Sequence, residues 1–125
     1  MTTTVLVIED TPANMKLVTM LLEHAGYAVL QATDAVAGIE LARAHHPQLI
    51  LMDMQLPGMD GLEATRVLKT DAATRDIRIV ALTAFAMKGD EQRMLNAGCD
   101  AYIAKPIQYK EFLVEVASVL EEEGK

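Results

Sequence analysis

A doubly wound α/β fold, with a parallel sheet covered by helices on both faces, is predicted by three features of the sequence. Five short runs rich in β-branched residues alternate with five longer segments of helical period. No linker, repeat or low-complexity segment interrupts this alternation. A length of 125 residues and an apolar content of 51% suit one domain with a substantial core. We therefore expect a single domain over residues 1–125.

The five strand candidates are short, and the third contains four consecutive apolar residues, Leu49–Met52, before Asp53. In chain order the strand candidates are Val5–Glu9, Ala28–Ala32, Gln48–Asp53, Ile77–Thr83 and Ala101–Lys105. The helix candidates that follow them are Ala13–Ala25, Ala35–His45, Leu62–Lys69, Lys88–Ala97 and Tyr109–Glu122. Strict alternation of strand and helix implies right-handed crossovers, which predict a flavodoxin-like (βα)5 sheet in the order 2-1-3-4-5.

Several helix limits carry chemical signals. Thr11 is predicted to be the N-cap of the first helix, with Pro12 in its first turn. Gly26 and Gly98 stand where a left-handed residue is needed to end a helix. The first and last helices each show an apolar stripe that predicts packing on the sheet. These stripes are Leu17, Val18, Leu21, Leu22 and Ala25 in the first helix, and Phe112, Leu113, Val116, Val119 and Leu120 in the last.

Composition excludes several classes of function. The 11 basic and 18 acidic residues give a net charge of −7, which would repel a nucleic-acid backbone. A single cysteine, Cys99, excludes an internal disulfide and fits a reducing cytoplasm. No apolar run approaches the roughly 18 residues of a membrane span, and no basic region precedes the first apolar run. We therefore expect a soluble cytoplasmic protein that binds neither nucleic acid nor membrane.

Polar side chains stand at the carboxyl ends of four predicted strands. Glu9 and Asp10 end the first, Asp53 the third, Thr83 the fourth and Lys105 the fifth. Ligands of such sheets gather at this edge, where strands one and three are neighbours. Two carboxylates about 4 Å apart repel by roughly 4 kcal/mol at an effective dielectric near 20, so a cation is expected there unless the acids hold protons. An all-oxygen cluster on an open edge suits Mg²⁺, with Mn²⁺ as an alternative.

The same edge has the groups that phosphoryl transfer requires. A metal ion, the Lys105 ammonium and the Thr83 hydroxyl would hold the phosphoryl oxygens. An aspartate carboxylate such as that of Asp53 needs no general base to act as the nucleophile. The sequence therefore predicts a phosphoryl-accepting aspartate.

Taken together, these residues resemble the receiver domain of bacterial two-component response regulators over essentially the whole chain. The resemblance rests on the acid pair Glu9-Asp10, the segment "LMDMQLPGMDG" around Asp53, Thr83-Ala84 and Lys105-Pro106, in that order and approximate spacing. It implies that a histidine kinase or a histidine phosphotransfer protein donates a phosphoryl group to Asp53.

The resemblance also implies the roles of the surrounding groups. Asp10, Asp53 and the backbone carbonyl of Gln55 would bind Mg²⁺. Glu9 would support the metal through water, and Lys105 would pair with the phosphoryl oxygens.

A conformational switch is implied as well. Thr83 would move to hydrogen-bond the phosphoryl group while Tyr102, the family's switch aromatic, rotates inward, and Lys105-Pro106 resembles the family's cis peptide bond. The signal would pass to a downstream protein through the fourth helix, fifth strand and fifth helix. The segment "TAFAMKGDE" and the lack of an appended domain are most similar to DivK-type single-domain regulators of bacterial cell-cycle control. Such a stand-alone regulator is expected to be a monomer or a weak phosphorylation-dependent dimer that assists its own phosphorylation and dephosphorylation.

The same fold class also occurs with other functions. A receiver of a phosphorelay or hybrid kinase would act only as a phosphate carrier. A small aspartate-dependent phosphohydrolase is disfavoured because Gln55, rather than a second acid, stands two residues after Asp53 and no cap insertion encloses a substrate. A nucleotide or flavin protein is disfavoured because no glycine-rich phosphate loop follows the first strand.

Overall fold

The computed structural model describes residues 2–84 and 88–121 and contains a five-stranded parallel sheet in the order 2-1-3-4-5. The strands are β1 (Thr4–Ile8), β2 (Ala28–Ala32), β3 (Leu49–Asp53), β4 (Arg78–Thr83) and β5 (Ala101–Ala104). The helices are α1 (Pro12–His24), α2 (Ala35–His45), α3 (Gly61–Thr70), α4 (Lys88–Ala97) and α5 (Tyr109–Glu121). The predicted fold class and strand order are confirmed.

Two apolar layers cover the sheet, because successive side chains of each strand point to opposite faces. On β3, Ile50 and Met52 pack with residues of α2, α3 and α4, whereas Leu49 and Leu51 pack with residues of α1 and α5. Every residue of β3 is buried. A strand covered on both faces is fixed along its whole length, so the position of its last residue, Asp53, is fixed as well.

The predicted helix limits are confirmed to within one residue at most ends. Pro12 is the first residue of α1 and Thr11 is its N-cap by backbone conformation, although the Thr11 side chain makes no capping hydrogen bond. Gly26 and Gly98 have φ values of +97° and +112°, the left-handed conformation expected of them. Ala25 is exposed rather than part of the packed stripe of α1, because the helix ends before it.

Two strands end one residue earlier than predicted. β1 ends at Ile8 and β5 at Ala104, so Glu9 and Lys105 each lie one residue beyond a strand. α3 starts at Gly61. Backbone pairing, which the sequence pattern does not show, decides these limits. The predicted helical residue 122 and residues 85–87 of the "TAFAMKGDE" segment lie outside the described residues.

In the described part of the chain, none of the helices combines the length and apolarity needed to cross a membrane.

Candidate functional site

Three carboxylates meet at the carboxyl edge of the sheet. β1 and β3 are adjacent, with Ile8 opposite Met52, so the residues that follow this pair lie side by side. One carboxylate oxygen from each of Glu9, Asp10 and Asp53 lies within 4.8 Å of the others. Glu9 and Asp53 are buried, whereas Asp10 is exposed. The site is therefore a buried acid pair with one side open to solvent.

Asp53 is 1% exposed and is held by two contacts through the same oxygen. Its Oδ1 accepts a hydrogen bond of 2.9 Å from the backbone N–H of Gln55 and lies 3.2 Å from Lys105 Nζ. Lys105 reaches this position because β5 pairs with β4 and the Lys105 N–H donates a 2.7 Å hydrogen bond to the Thr83 carbonyl. The carboxylate and its counter-charge thus come from distant parts of the sequence, one after the third strand and the other after the fifth.

Glu9 is fully buried, and its two oxygens have different surroundings. Oε2 accepts a 3.1 Å hydrogen bond from the Thr11 N–H. Oε1 lies 3.3 Å from Lys105 Nζ but has no hydrogen-bond partner among the described residues. Burial first, and then contact with Asp53, raises the pKa of Glu9 above 4.5, against smaller lowering effects of Thr11 and Lys105. The described cluster therefore places three carboxyl groups close together, and the Lys105 ammonium contacts two of them.

The residues present fit a hard divalent cation such as Mg²⁺. The donors are all oxygens, one of them is buried without a hydrogen bond, and the exposed Asp10 leaves an approach from solvent. The nitrogen and sulfur ligands that zinc prefers are absent from this described cluster.

Thr83 lies beside the acid cluster at the end of β4. Its neighbour Leu82 pairs with Asp53, which places Thr83 one residue beyond the level of that carboxylate. The Gln55 side chain spans the gap: its Nε2 lies 3.5 Å from Thr83 Oγ1, and its Oε1 accepts a 3.3 Å hydrogen bond from the Ala84 N–H. This bridge was not predicted, since nothing in the sequence indicates where a glutamine side chain on a loop points.

Tyr102 lies apart from the acids. It is half-buried on β5 opposite Ala81, and its hydroxyl is hydrogen-bonded to Glu91 of α4. This hydrogen bond, followed by partial burial, raises the pKa of Tyr102 above 10.0. The side chain therefore links β5 to α4 in this structure.

The loop after β3 leaves the site abruptly. Gly58 has a φ of +72°, as its place in the Pro57-Gly58 turn predicts. Gly61 is required for a different reason, because a Cβ there would lie 2.5 Å from the Asp53 carbonyl oxygen. The Lys105-Pro106 peptide bond is cis, as the resemblance implied.

The structure thus brings Glu9, Asp10, Asp53, Thr83 and Lys105 to one edge of the sheet, as the sequence predicted. Gln55 joins them through its backbone N–H and its side chain.

Comparison with known proteins identifies the family. A profile described as "Response regulator receiver domain" matches residues 5–117. The chain belongs to this family. This receiver domain is 48% identical over 120 residues to the "Polar-differentiation response regulator DivK" of Brucella ovis, covering 96% of the chain and 98% of that protein. It is 47% identical over 116 residues to the DivK of Brucella anthropi, covering 93% and 94%.

Solved structures agree with this assignment. One is the receiver domain of sensor histidine kinase PA1611 from Pseudomonas aeruginosa, which is described with a magnesium ion coordinated in its active-site cleft. It superposes with a TM-score of 0.89 and is 32% identical, and the match covers 97% of this chain and 99% of that one. A CheY-like receiver domain protein from Methanospirillum hungatei gives a TM-score of 0.90 at 28% identity, and the match covers 98% of this chain and 96% of that one.

The chain is therefore a DivK-like receiver domain of a two-component system, and receivers are signalling proteins. Receiver domains bind Mg²⁺ at an acidic pocket and interact with histidine kinases or phosphotransfer proteins and with downstream targets. The phosphate-carrier and phosphohydrolase alternatives are not better supported.

Proposed function

We propose that this receiver accepts a phosphoryl group on Asp53 and passes the resulting change to a protein-binding face formed by α4, β5 and α5. The observation that carries the proposal is the environment of the Asp53 carboxylate. It is buried at the end of a rigid strand, yet Lys105 Nζ lies 3.2 Å from it and two other carboxylates lie beside it. A structural aspartate would not need this many charged neighbours.

The chemistry is a displacement at phosphorus. A carboxylate oxygen of Asp53 attacks the phosphorus of a phosphohistidine, the phosphorus–nitrogen bond breaks, and its electron pair returns to the imidazole nitrogen. Transfer of this kind depends mainly on in-line positioning and charge neutralisation. The Gln55 N–H and the Lys105 ammonium both contact Oδ1 of this carboxylate and hold it in place, and Lys105 would then pair with the phosphoryl oxygens.

Mg²⁺ would be held by Asp10, Asp53 and the Gln55 backbone carbonyl, with Glu9 supporting it through water. When bound, it would neutralise charge on the phosphoryl oxygens. Mn²⁺ is expected to substitute for it, because it prefers the same oxygen ligands. The two buried carboxyl groups of Glu9 and Asp53 support this assignment, since among the described residues the ion pairs of both are with the one ammonium of Lys105.

The output step depends on Thr83 and Tyr102. Thr83 would turn to hydrogen-bond the phosphoryl group, and Tyr102 would leave Glu91 and rotate inward. This local change would bias a two-state element that a downstream protein reads. We expect a cytoplasmic receiver over residues 1–125 that is a monomer or dimerises weakly on phosphorylation, and that hydrolyses its own acyl phosphate.

The test is to incubate the protein with acetyl phosphate and Mg²⁺ and to measure intact mass. The wild type is expected to gain one phosphoryl group, and Asp53→Asn none. Asp60→Asn is a matched control, because Asp60 lies on the same loop but caps α3 instead of joining the acid cluster. The proposal would be contradicted by a wild type without the adduct, or by an Asp53→Asn variant that gains it equally. Mn²⁺ in place of Mg²⁺ tests the metal assignment, and repeated turnover of a generic phosphate ester would favour a phosphohydrolase.

A further inference from the structure

The side chain of Gln55 takes no part in the metal or phosphoryl roles described above, which use its backbone. Its amide nevertheless bridges two consecutive residues at the end of β4. Nε2 lies 3.5 Å from Thr83 Oγ1, and Oε1 lies 3.3 Å from the Ala84 nitrogen. Both Gln55 and Ala84 are exposed, whereas Thr83 is buried. The bridge therefore ties a buried hydroxyl and an exposed backbone group to one side chain.

Donor and acceptor chemistry fixes the orientation of this amide. The Ala84 N–H can only donate, so the carbonyl oxygen of Gln55 must face it. The amide nitrogen then faces Thr83, whose hydroxyl oxygen accepts. Both contacts, at 3.5 and 3.3 Å, are longer than a typical N–H···O hydrogen bond and therefore weak, and water can compete for them because Gln55 is exposed. Such a bridge can hold a resting position without preventing its release.

One backbone hydrogen bond anchors the end of β4. The Thr83 carbonyl accepts a 2.7 Å hydrogen bond from the Lys105 N–H, which anchors Thr83 to β5. The Thr83 side chain and the Ala84 N–H are not part of this backbone hydrogen bond. These are the two groups that the Gln55 amide holds.

We propose that the Gln55 side chain is a positioning residue that latches Thr83 and Ala84 in the resting state and thereby slows acceptance of the phosphoryl group. This rests on the proposed function, in which Thr83 turns toward a phosphoryl group on Asp53. The Thr83 hydroxyl would have to leave the Gln55 amide to do so. Loss of the amide shifts the population toward the released conformation, so phosphorylation becomes faster.

The effect expected of Gln55→Met is an increase of about threefold to tenfold in the rate of phosphorylation, as the loss of one or two weak hydrogen bonds predicts. Methionine keeps the length of the side chain and the backbone carbonyl but removes both amide contacts. The rate is measured with acetyl phosphate and Mg²⁺ by intact mass. Gln48→Met is the matched control, because Gln48 also uses its side-chain oxygen to accept from a backbone N–H, that of Thr4, at 2.7 Å. This control is expected to leave the rate unchanged.

A second measurement does not depend on phosphorylation. In the unphosphorylated protein, hydrogen exchange of the Ala84 amide is expected to be several-fold faster in Gln55→Met than in the wild type. Unchanged exchange at Ala84 would overturn the latch. If the wild type takes up no phosphoryl group, the proposed function fails, while the exchange of Ala84 still decides whether the resting contact exists.

Double variants separate a latch from simple relief of crowding. With Thr83→Ser, which keeps the hydroxyl, Gln55→Met should still accelerate phosphorylation. With Thr83→Ala, Gln55→Met should accelerate phosphorylation only slightly, because only the contact with the Ala84 N–H remains to be lost. The same acceleration in both backgrounds would mean that Gln55 only restricts access of the donor, and a rate that stays equal or falls in Gln55→Met alone would also overturn the proposal.

Discussion

Replacing Lys105 by methionine tests whether this ammonium is the counter-charge of the buried acids. Its Nζ lies 3.2 Å from Asp53 Oδ1 and 3.3 Å from Glu9 Oε1. At an effective dielectric near 20, each contact contributes about 5 kcal/mol of attraction, or about 10 kcal/mol together. Desolvation of a largely buried ammonium offsets several kcal/mol of this. We therefore expect Lys105→Met to lower the free energy of unfolding by about 3–5 kcal/mol at neutral pH.

The loss should depend on pH in a defined direction. The pKa of Glu9 is raised above 4.5 in the folded protein, so its ionisation above that value lowers stability. Removing Lys105 removes one of the influences that lower this pKa, which therefore rises further. The stability difference between variant and wild type should grow as the pH rises past 4.5 and shrink below it.

Urea unfolding at neutral and mildly acidic pH, with and without millimolar Mg²⁺, measures these differences. Mg²⁺ should stabilise Lys105→Met more than the wild type, because no ammonium competes for the carboxylates. Lys69→Met is the matched control, since Lys69 is similarly buried but pairs with Asp100 and with the Ile77 carbonyl. That variant should lose stability without gaining an enhanced response to Mg²⁺. An equal loss for Lys105→Met at both pH values, with an unchanged Mg²⁺ effect, would refute the reasoning.

Three further predictions concern the surroundings of the site. Asp60→Ala should lower the free energy of unfolding in urea by about 1 kcal/mol, because the Asp60 carboxylate accepts a 2.9 Å hydrogen bond from the Glu63 N–H and caps α3. Asp60→Asn should retain most of this stability, and an equal loss in both variants would argue against capping. Gly61→Ala should destabilise by about 1–3 kcal/mol, since the new methyl group would press on the Asp53 carbonyl, and an unchanged unfolding midpoint would contradict this. Burial raises the pKa of Cys99 above 9.0, so iodoacetamide should modify the native protein far more slowly than the urea-unfolded chain, as followed by mass. Because the folded thiol retains its proton above 9.0 while the unfolded one releases it, this group should lower stability as the pH rises past that value.

The sequence by itself determined the fold and the membership of the acid cluster. Alternating strand and helix patterns fix a parallel sheet, and the carboxyl ends of parallel strands meet at one edge. Glu9, Asp53 and Lys105 were therefore predicted to converge, and in the structure the Lys105 ammonium lies 3.3 Å from the Glu9 carboxylate and 3.2 Å from that of Asp53. Local rules also predicted the positive φ values of Gly26 and Gly98.

Only the tertiary structure decided how these groups divide their contacts. Glu9 lies just beyond its strand and is fully buried, which depends on packing from both faces of the sheet rather than on local pattern. The need for glycine at position 61 comes from the approach of α3 to the Asp53 carbonyl, not from its own φ. The Gln55 bridge joins the loop after β3 to Thr83 and Ala84, which are 28 and 29 residues further along the sequence. Side-chain direction on a loop is set by such distant neighbours, so no periodic pattern in the sequence records it.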